Sequence, residues 1–147
     1  MITKKSKYAI KALIYLAKQP ERQPVLIESI STEERIPKKF LEAILLDLRK
    51  AGILGSKKGK GGGYYLIKPP EEITMAEVMR LFDGAIALIP CVAYRYYEPC
   101  EECIDEITCP IREVFRVIRE QTVATLKENT FAELVNKEKK LKPYRAK

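Results

Sequence analysis

Apolar and polar residues recur at helical spacing through the first fifty residues of the chain. Residues 4–18 place lysines beside an apolar face, and prolines at positions 20 and 24 interrupt the pattern. Residues 25–36 predict a short helix ending in a tight turn at Arg35–Ile36. The inward face of that helix is expected to hold Leu26, Ile27 and Ile30. A third helix is predicted over 37–52, because a proline suits its first turn and a glycine its end.

A basic hairpin is predicted directly after these helices. The second and third helices, joined by the turn, favour a helix-turn-helix. Residues 53–67 then read as strand, glycine-rich turn and strand, which is typical of a wing that contacts the DNA backbone or minor groove. A plain flexible hairpin is the alternative. The turn carries Lys57, Lys58, Lys60, Gly61, Gly62 and Gly63. A phosphate-binding loop is excluded, because no Gly-Lys-Ser/Thr sequence follows and the turn leads into a strand.

The second half of the chain predicts a helix within 68–84, a loop over 85–109 and a long helix beginning at Pro110. The long helix is apolar on more than one side, which favours a second subunit as partner over a purely intrachain role. Its first apolar face comprises Ile111, Val114, Phe115, Ile118, Thr122, Thr125 and Leu126. The predicted fold is mainly α with a small β-wing. Its parts are a winged helix-turn-helix region (1–84), a cysteine-rich loop (85–109), a dimerisation helix with a short C-terminal helix (110–136) and a basic disordered tail (137–147).

Positive charge is concentrated in the predicted DNA-binding region. The net charge is +7, but residues 1–70 carry 15 Lys/Arg and 6 Asp/Glu, whereas residues 71–147 carry 12 and 14. A basic half beside a near-neutral half is typical of nucleic-acid binding, and a solvated lysine-rich surface is the alternative. No apolar run is long enough to span a membrane and no secretory signal is visible. The expected location is therefore cytoplasmic.

All four cysteines of the chain lie within nineteen residues, in the order Cys91, Cys100, Cys103 and Cys109. In a reducing compartment, clustered cysteines favour metal or redox chemistry over structural disulfides. Four thiolates suit a two-iron or four-iron cluster and equally suit tetrahedral zinc. A metal-free thiol switch and four inert thiols also remain open. An enzyme has little support, because the chain has no histidine for acid–base work.

Several segments, in order, resemble one known family. They are SKYAIKAL, ISTEERIPKKFLEAILLDLRKAGIL, SKKGKGGGYYLIKPPEEIT, a cysteine loop before a long helix, and TFAELV. The chain resembles the Rrf-two type of winged-helix bacterial regulators that includes IscR, NsrR, RirA and CymR. The resemblance covers residues 1–136 and implies a homodimeric regulator of double-stranded DNA operators. By position, the implied DNA contacts are Lys38, Lys39, Phe40, Glu42, Lys58 and the glycines at 61–63.

The same resemblance implies an iron–sulfur cluster held by the cysteine loop. Relatives use three cysteines and a variable fourth ligand, either a histidine or an N-terminal acid. The matching positions here are Arg112 and Lys7, which cannot serve, so the extra cysteine completes a set of four. A [2Fe–2S] cluster is favoured over [4Fe–4S], and zinc is less favoured. The predicted function is a dimeric regulator whose operator binding the cluster modulates. The alternative is a cluster-free thiol-switch or zinc-clipped regulator of the same fold.

Overall fold

A computed structural model describes residues 2–141 of the chain. Within these residues there are six α-helices and one two-stranded antiparallel sheet, and short 3-10 turns lie at Pro70–Glu72 and Pro90–Val92. The helices are α1 (Lys4–Ala17), α2 (Ile27–Glu34), α3 (Lys38–Lys50), α4 (Met75–Asp83), α5 (Pro110–Glu128) and α6 (Phe131–Lys140), and the strands are β1 (Leu54–Lys57) and β2 (Gly63–Leu66). None of the described helices is long and apolar enough to cross a membrane. The prediction of a mainly helical fold with a small sheet is confirmed.

The hydrophobic core lies between α1, α3 and the helices that flank them. Leu13 of α1, Leu45 of α3 and Phe131 of α6 are fully buried in this cluster, together with Ile30 and Val78. Each fully buried aliphatic or aromatic side chain contributes about 1.5–3 kcal/mol through removal of its surface from water. Because α6 supplies Phe131, the chain returns from α5 to the DNA-binding region and closes its core.

The turn between α2 and α3 has the geometry that the sequence predicted. Arg35 adopts a left-handed conformation, with φ 53° and ψ 48°. The Ile36 N–H donates to the Ser31 carbonyl at 3.0 Å, and the Ser31 hydroxyl donates back to the Ile36 carbonyl at 2.7 Å. One predicted detail is wrong: Leu26 is 54% exposed. Leu26 caps the helix in an extended conformation, so its side chain lies outside the helical face that packs inward.

The wing is fixed to the helical core at its base. Strand β1 pairs with β2 from Leu54 opposite Leu66 to Lys57 opposite Gly63. The next residue, Tyr64, exchanges two backbone hydrogen bonds with Val25 at 2.8 and 2.9 Å. Gly63 has φ +144°, and a Cβ there would overlap the Val25 backbone. Glycine at this position therefore allows the hairpin to pack directly against the entrance to α2.

The C-terminal helices differ from prediction at their ends. Thr130 caps α6 by accepting a hydrogen bond from the Glu133 N–H at 3.2 Å. Helix α6 then continues to Lys140, so the disordered tail predicted from residue 137 is wrong for 137–140. Three basic residues in the last turn favour this extension, because cations stabilise a helix C-terminus. The rest of the predicted tail, 142–147, lies outside the described residues.

Candidate DNA-binding surface and cysteine loop

The N-terminal turn of α3 presents the residues predicted to contact DNA. Lys38, Lys39 and Glu42 are all exposed, and Phe40 is 53% exposed. The Phe40 ring meets the edge of Tyr8 with ring centroids 6.1 Å apart and planes inclined at 70°. This contact orients Phe40 from behind while leaving its outer face free. The first turn of a recognition helix is where side chains reach base edges in helix-turn-helix proteins.

Lys38 is held by an ion pair across the helix-turn-helix. Its Nζ lies 2.7 Å from Glu28 Oε1 of α2. This hydrogen bond lowers the pKa of the Glu28 carboxyl and raises the pKa of Lys38. Both side chains are half exposed, so the pair is weak and a DNA phosphate can compete for the lysine.

The tip of the wing projects three exposed lysines. Lys57, Lys58 and Lys60 form no ion pair among the described residues, and all are exposed. The turn closes when the Gly62 N–H donates to the Gly59 carbonyl at 3.0 Å. A Cβ on Gly62 would overlap the Lys57 carbonyl, so the tip requires glycine there. Lys39 at the start of α3 and the three lysines of the wing tip thus offer positive charge that no carboxylate of the described residues neutralises.

One half of the cysteine loop (residues 85–109) is anchored to α5. Cys91 is buried in the 3-10 turn Pro90–Val92, and its carbonyl accepts a hydrogen bond from Arg112 Nε at 3.2 Å. Arg119 Nη1 donates to the carbonyl of the next residue, Val92. Cys109 is the N-cap of α5, and its sulfur accepts from the Arg112 N–H at 3.4 Å. The first and last cysteines are therefore positioned by α5 itself.

Arg119 is the central anchor of this half of the loop. Its side chain is only 9% exposed. Beyond the bond to Val92, Nη2 lies 3.1 Å from the Tyr94 hydroxyl, and the guanidinium carbon lies 4.0 Å from the centre of the Tyr94 ring. A buried guanidinium is tolerated only when such partners replace its water. The arrangement fixes residues 92–94 against the middle of α5.

The other half of the loop, which carries Cys100 and Cys103, lies at the surface. Cys100 is exposed and its thiol lies 3.5 Å from a carboxylate oxygen of Glu102. Desolvation and the neighbouring Cys109 and Cys100 thiols raise the pKa of Cys103. The four cysteines are all free of disulfides. Within residues 2–141, no three metal-ligating side chains are arranged to hold an ion.

The arginines of α5 that bond the loop are not evident from local sequence patterns. From the sequence, Arg112 only occupies the position of a relative's ligand, and Arg119 has no predicted role. The sequence contains one indication of this role. Arg119 and Val123 are four residues apart and therefore lie on the same face of the helix, which is buried. An arginine on a buried stripe requires polar partners, which an irregular loop with free carbonyls can supply.

Both the sequence and the fold of this chain match known proteins. A family model described as Rrf2, an iron-dependent transcriptional regulator, matches residues 2–137. The chain belongs to the Rrf2 family. It is a DNA-binding transcription regulator, as predicted, and the family consists of regulators and not of enzymes.

Three relatives illustrate the match. An rrf2-like HTH-type transcriptional regulator of Rhodobacter capsulatus is 50% identical over 118 residues, which is 78% of this chain and 79% of the relative. The regulator IscR of Serratia proteamaculans is 31% identical over 135 residues, or 92% of this chain and 79% of IscR. The solved structure of CymR, the global cysteine regulator of B. subtilis, superimposes with a TM-score of 0.78 at 27% identity, covering 93% of this chain and 97% of CymR.

Arg119→Met is expected to loosen the loop from α5. The change keeps the aliphatic stem but removes the donors to Val92 and Tyr94, leaving a buried carbonyl unpaired. We expect the free energy of unfolding in urea to fall by about 2–3 kcal/mol. Hydrogen exchange at the Val92 and Ala93 amides should accelerate.

Arg116→Met is the matched control for this change. Arg116 lies on the same helix but pairs with Glu113 and Glu120 at the surface. Its replacement should leave the exchange of residues 92 and 93 unchanged. Equal effects of the two substitutions would show that Arg119 is not a specific anchor.

Proposed function

We propose that this Rrf2-family chain is a homodimeric regulator that reads operator DNA with the N-terminal turn of α3 and the wing. The observation that carries the proposal is the joint exposure of the α3 start and the unpaired lysines at the wing tip. A recognition helix in the major groove positions base-reading side chains, and a flanking wing adds phosphate contacts. The proposed contacts are Lys38, Lys39, Phe40, Glu42, Lys57, Lys58, Lys60 and the glycines 61–63. Because DNA is the target, we also propose a cytoplasmic location.

Individual residues of this surface are assigned different roles. Lys39 and the wing lysines neutralise phosphates, which contributes affinity at every sequence. Glu42 is an exposed acid on this basic face. A carboxylate repels phosphate and accepts a hydrogen bond from cytosine N4, so it restricts the choice of base. Phe40 offers an apolar edge that suits a thymine methyl group.

The cysteine loop is proposed to hold an iron–sulfur cluster through Cys91, Cys100, Cys103 and Cys109. The donor chemistry fits, since four free thiols lie in one loop and the Cys103 N–H donates to the Cys100 carbonyl at 3.3 Å. The family's description as iron-dependent agrees with such a cofactor. When bound, the cluster supplies a centre sensitive to oxidation and iron supply, and [2Fe–2S] is favoured over [4Fe–4S].

The loop is proposed to assemble from an anchored half and a surface half. Arg112 holds the Cys91 carbonyl, and Arg119 holds the carbonyl of the adjacent Val92. Cys109 is the N-cap of α5, so the two outer cysteines need little reorganisation. Cys100 and Cys103 would move inward to complete the set. Binding of the cofactor would supply the free energy that orders this surface half. The structure of the loop would therefore depend on whether the cofactor is bound. Zinc or a metal-free thiol switch on the same cysteines is the alternative. Iron, sulfide and zinc contents per chain distinguish these possibilities.

Homodimerisation is proposed through an exposed stripe of α5. Ile111 and Val114 are 64% and 59% exposed, and Ile118 on the same face is also exposed. Three large apolar residues at helical spacing that face water indicate a contact surface. A second copy of α5 is the partner that best matches, because paired recognition helices read paired half-sites.

Coupling between loop and DNA is proposed to run through α5. The loop is bonded to the face of α5 that holds Arg119, and the dimer stripe lies on another face of the same helix. A change in loop order would therefore alter the orientation of two recognition helices. A difference of about 1.4–2.7 kcal/mol between the two states changes DNA affinity ten- to a hundredfold.

Lys58→Ala is expected to weaken binding to every duplex. Operator sequences would first be selected from a pool of random duplexes, and affinities measured by fluorescence anisotropy at several salt concentrations. Loss of one phosphate contact should lower the slope of log K against log salt by about 1. Lys50→Ala, at the opposite end of α3, is the control and should change neither quantity. An unchanged affinity for Lys58→Ala removes the wing tip from the interface.

Replacement of both Cys100 and Cys103 by alanine should abolish cofactor binding. The protein would be purified without oxygen, and iron, acid-labile sulfide and zinc measured per chain alongside the visible spectrum. We expect iron and sulfide in the original protein and neither in the variant. Alanine at Glu101 and Glu102 in the same turn is the control and should retain both. Zinc without sulfide in the original protein supports a zinc clip, and no metal at all supports a thiol switch.

Val114→Lys should convert the dimer to a monomer. A lysine in the middle of the α5 stripe places unpaired charges at the centre of a two-fold interface. Light scattering should give twice the 16.9 kDa chain mass for the original protein and the single chain mass for the variant. Leu26→Lys makes the same kind of change at an exposed apolar residue outside α5 and should remain dimeric. A Val114→Lys dimer would contradict the proposed interface.

A further inference from the structure

Two adjoining concave surfaces of the chain share the same three cationic side chains. Arg80 of α4, Arg95 of the cysteine loop and Lys127 of α5 line both of them. The two surfaces enclose about 490 and 390 Å³. Because they share these residues, the two surfaces are described as one groove, here named the cationic groove. The three cations lie where the two surfaces meet. Its size is in the range of sites that bind small molecules.

The positive charge of the cationic groove is not neutralised by the described residues. Among residues 2–141, the three cations form no ion pair with any carboxylate. Two carboxylates do line the groove, but both are engaged elsewhere. Glu120 lies 2.5 Å from Arg116, and Glu77 lies 2.9 Å from Lys68. The groove therefore has an excess of positive charge in a concave setting, where attraction for an anion is strongest.

One wall of the cationic groove is apolar and held in place. Val123 is 7% exposed, and Ala124 and Ile86 lie beside it in the lining. Tyr94 completes this wall, and its ring is fixed by the stacking and hydrogen bond from Arg119. Because Arg95 follows Tyr94 directly, the same anchor positions the backbone of one of the three cations.

DNA binding does not explain why these three cations lie together. The groove includes Ala51, which follows the C-terminal end of α3, whereas the proposed base contacts begin at Lys38. Thirteen residues of helix separate the two by about 20 Å along its axis. The cationic groove thus lies at the far end of the recognition helix from the DNA-binding turn.

We propose that the cationic groove binds a small organic dianion, with a phosphate monoester as the best chemical match. Arg80, Arg95 and Lys127 would take the phosphate, since guanidinium groups match its oxygens in paired hydrogen bonds. The Tyr94, Val123 and Ala124 wall would pack against the organic part. This ligand would join α4, the cysteine loop and α5. The groove is therefore a second regulatory site, separate from the cysteines and from DNA.

The test uses the full-length protein and three probes in isothermal titration calorimetry at low salt. Phenyl phosphate carries both the dianion and a ring, inorganic phosphate carries only the anion, and benzyl alcohol carries only the ring. We expect phenyl phosphate to bind with a Kd below about 1 mM, about tenfold tighter than inorganic phosphate, and benzyl alcohol not to bind.

Charge-removing variants connect the affinity to the groove. Lys127→Gln and Arg95→Gln alter exposed side chains, so both should fold, and each should weaken phenyl phosphate about tenfold. Arg22→Gln removes an exposed arginine from the connection between α1 and α2, away from the groove, and should leave the affinity unchanged.

Several results would overturn the proposal. These are no heat of binding at about 10 mM phenyl phosphate, equal weakening by Arg22→Gln, or a dimer structure in which acidic side chains of the partner fill the groove. No operator DNA enters the titration, so a negative result leaves the proposed DNA reading intact. Failure of DNA binding would likewise leave this site unaffected.

Discussion

The buried guanidinium of Arg119 is the interaction on which the C-terminal half of the structure depends. The segment between α4 and α5 contains no regular secondary structure apart from one 3-10 turn, so its backbone groups must find partners elsewhere. Arg119 provides one such partner by donating to the Val92 carbonyl, and its guanidinium also stacks on the Tyr94 ring. Its charge tolerates burial only because these acceptors are present. The loop and the helix therefore depend on each other. The arginine fixes the loop, and the loop provides the hydrogen-bond acceptors that replace water around the arginine.

This mutual dependence divides the cysteine loop into two parts with different stability. Residues near Cys91 have low exposure and bonds to two arginines of α5, whereas Cys100 and its neighbours lie at the surface. A segment with few buried contacts opens at low free-energy cost, whereas an anchored segment does not. This division suits the cofactor-dependent role proposed for the loop. In the proposed coupling, the anchored part would connect the loop to α5 and the surface part would supply the structural change.

The sequence predicted the fold where local chemistry determines structure. The turn at Arg35–Ile36 and the glycine-rich wing depend on residues close together in the chain, and both agree with expectation. Contacts between distant residues were not predictable in the same way. Periodicity identified α5 as apolar on several sides but did not reveal that Arg119 faces inward, because its partners lie 25 and 27 residues away. The groove cations were missed for the same reason, since their convergence follows from three separate elements.

Helix α5 carries different chemistry on each of its faces, and this explains why it is long. One face holds Arg119 and Val123 against the loop, a second exposes Ile111 and Val114, and Lys127 near its C-terminal end lines the cationic groove. A rigid helix moves as a unit, so a shift imposed on one face is felt on the others. A helix of one or two turns could not reach all three surfaces, at a rise of about 1.5 Å per residue. Nineteen residues extend from the N-cap at Cys109 past the anchor to the groove. Loop order, subunit contact and anion binding would then bias one and the same element, which is the physical requirement for coupling between sites.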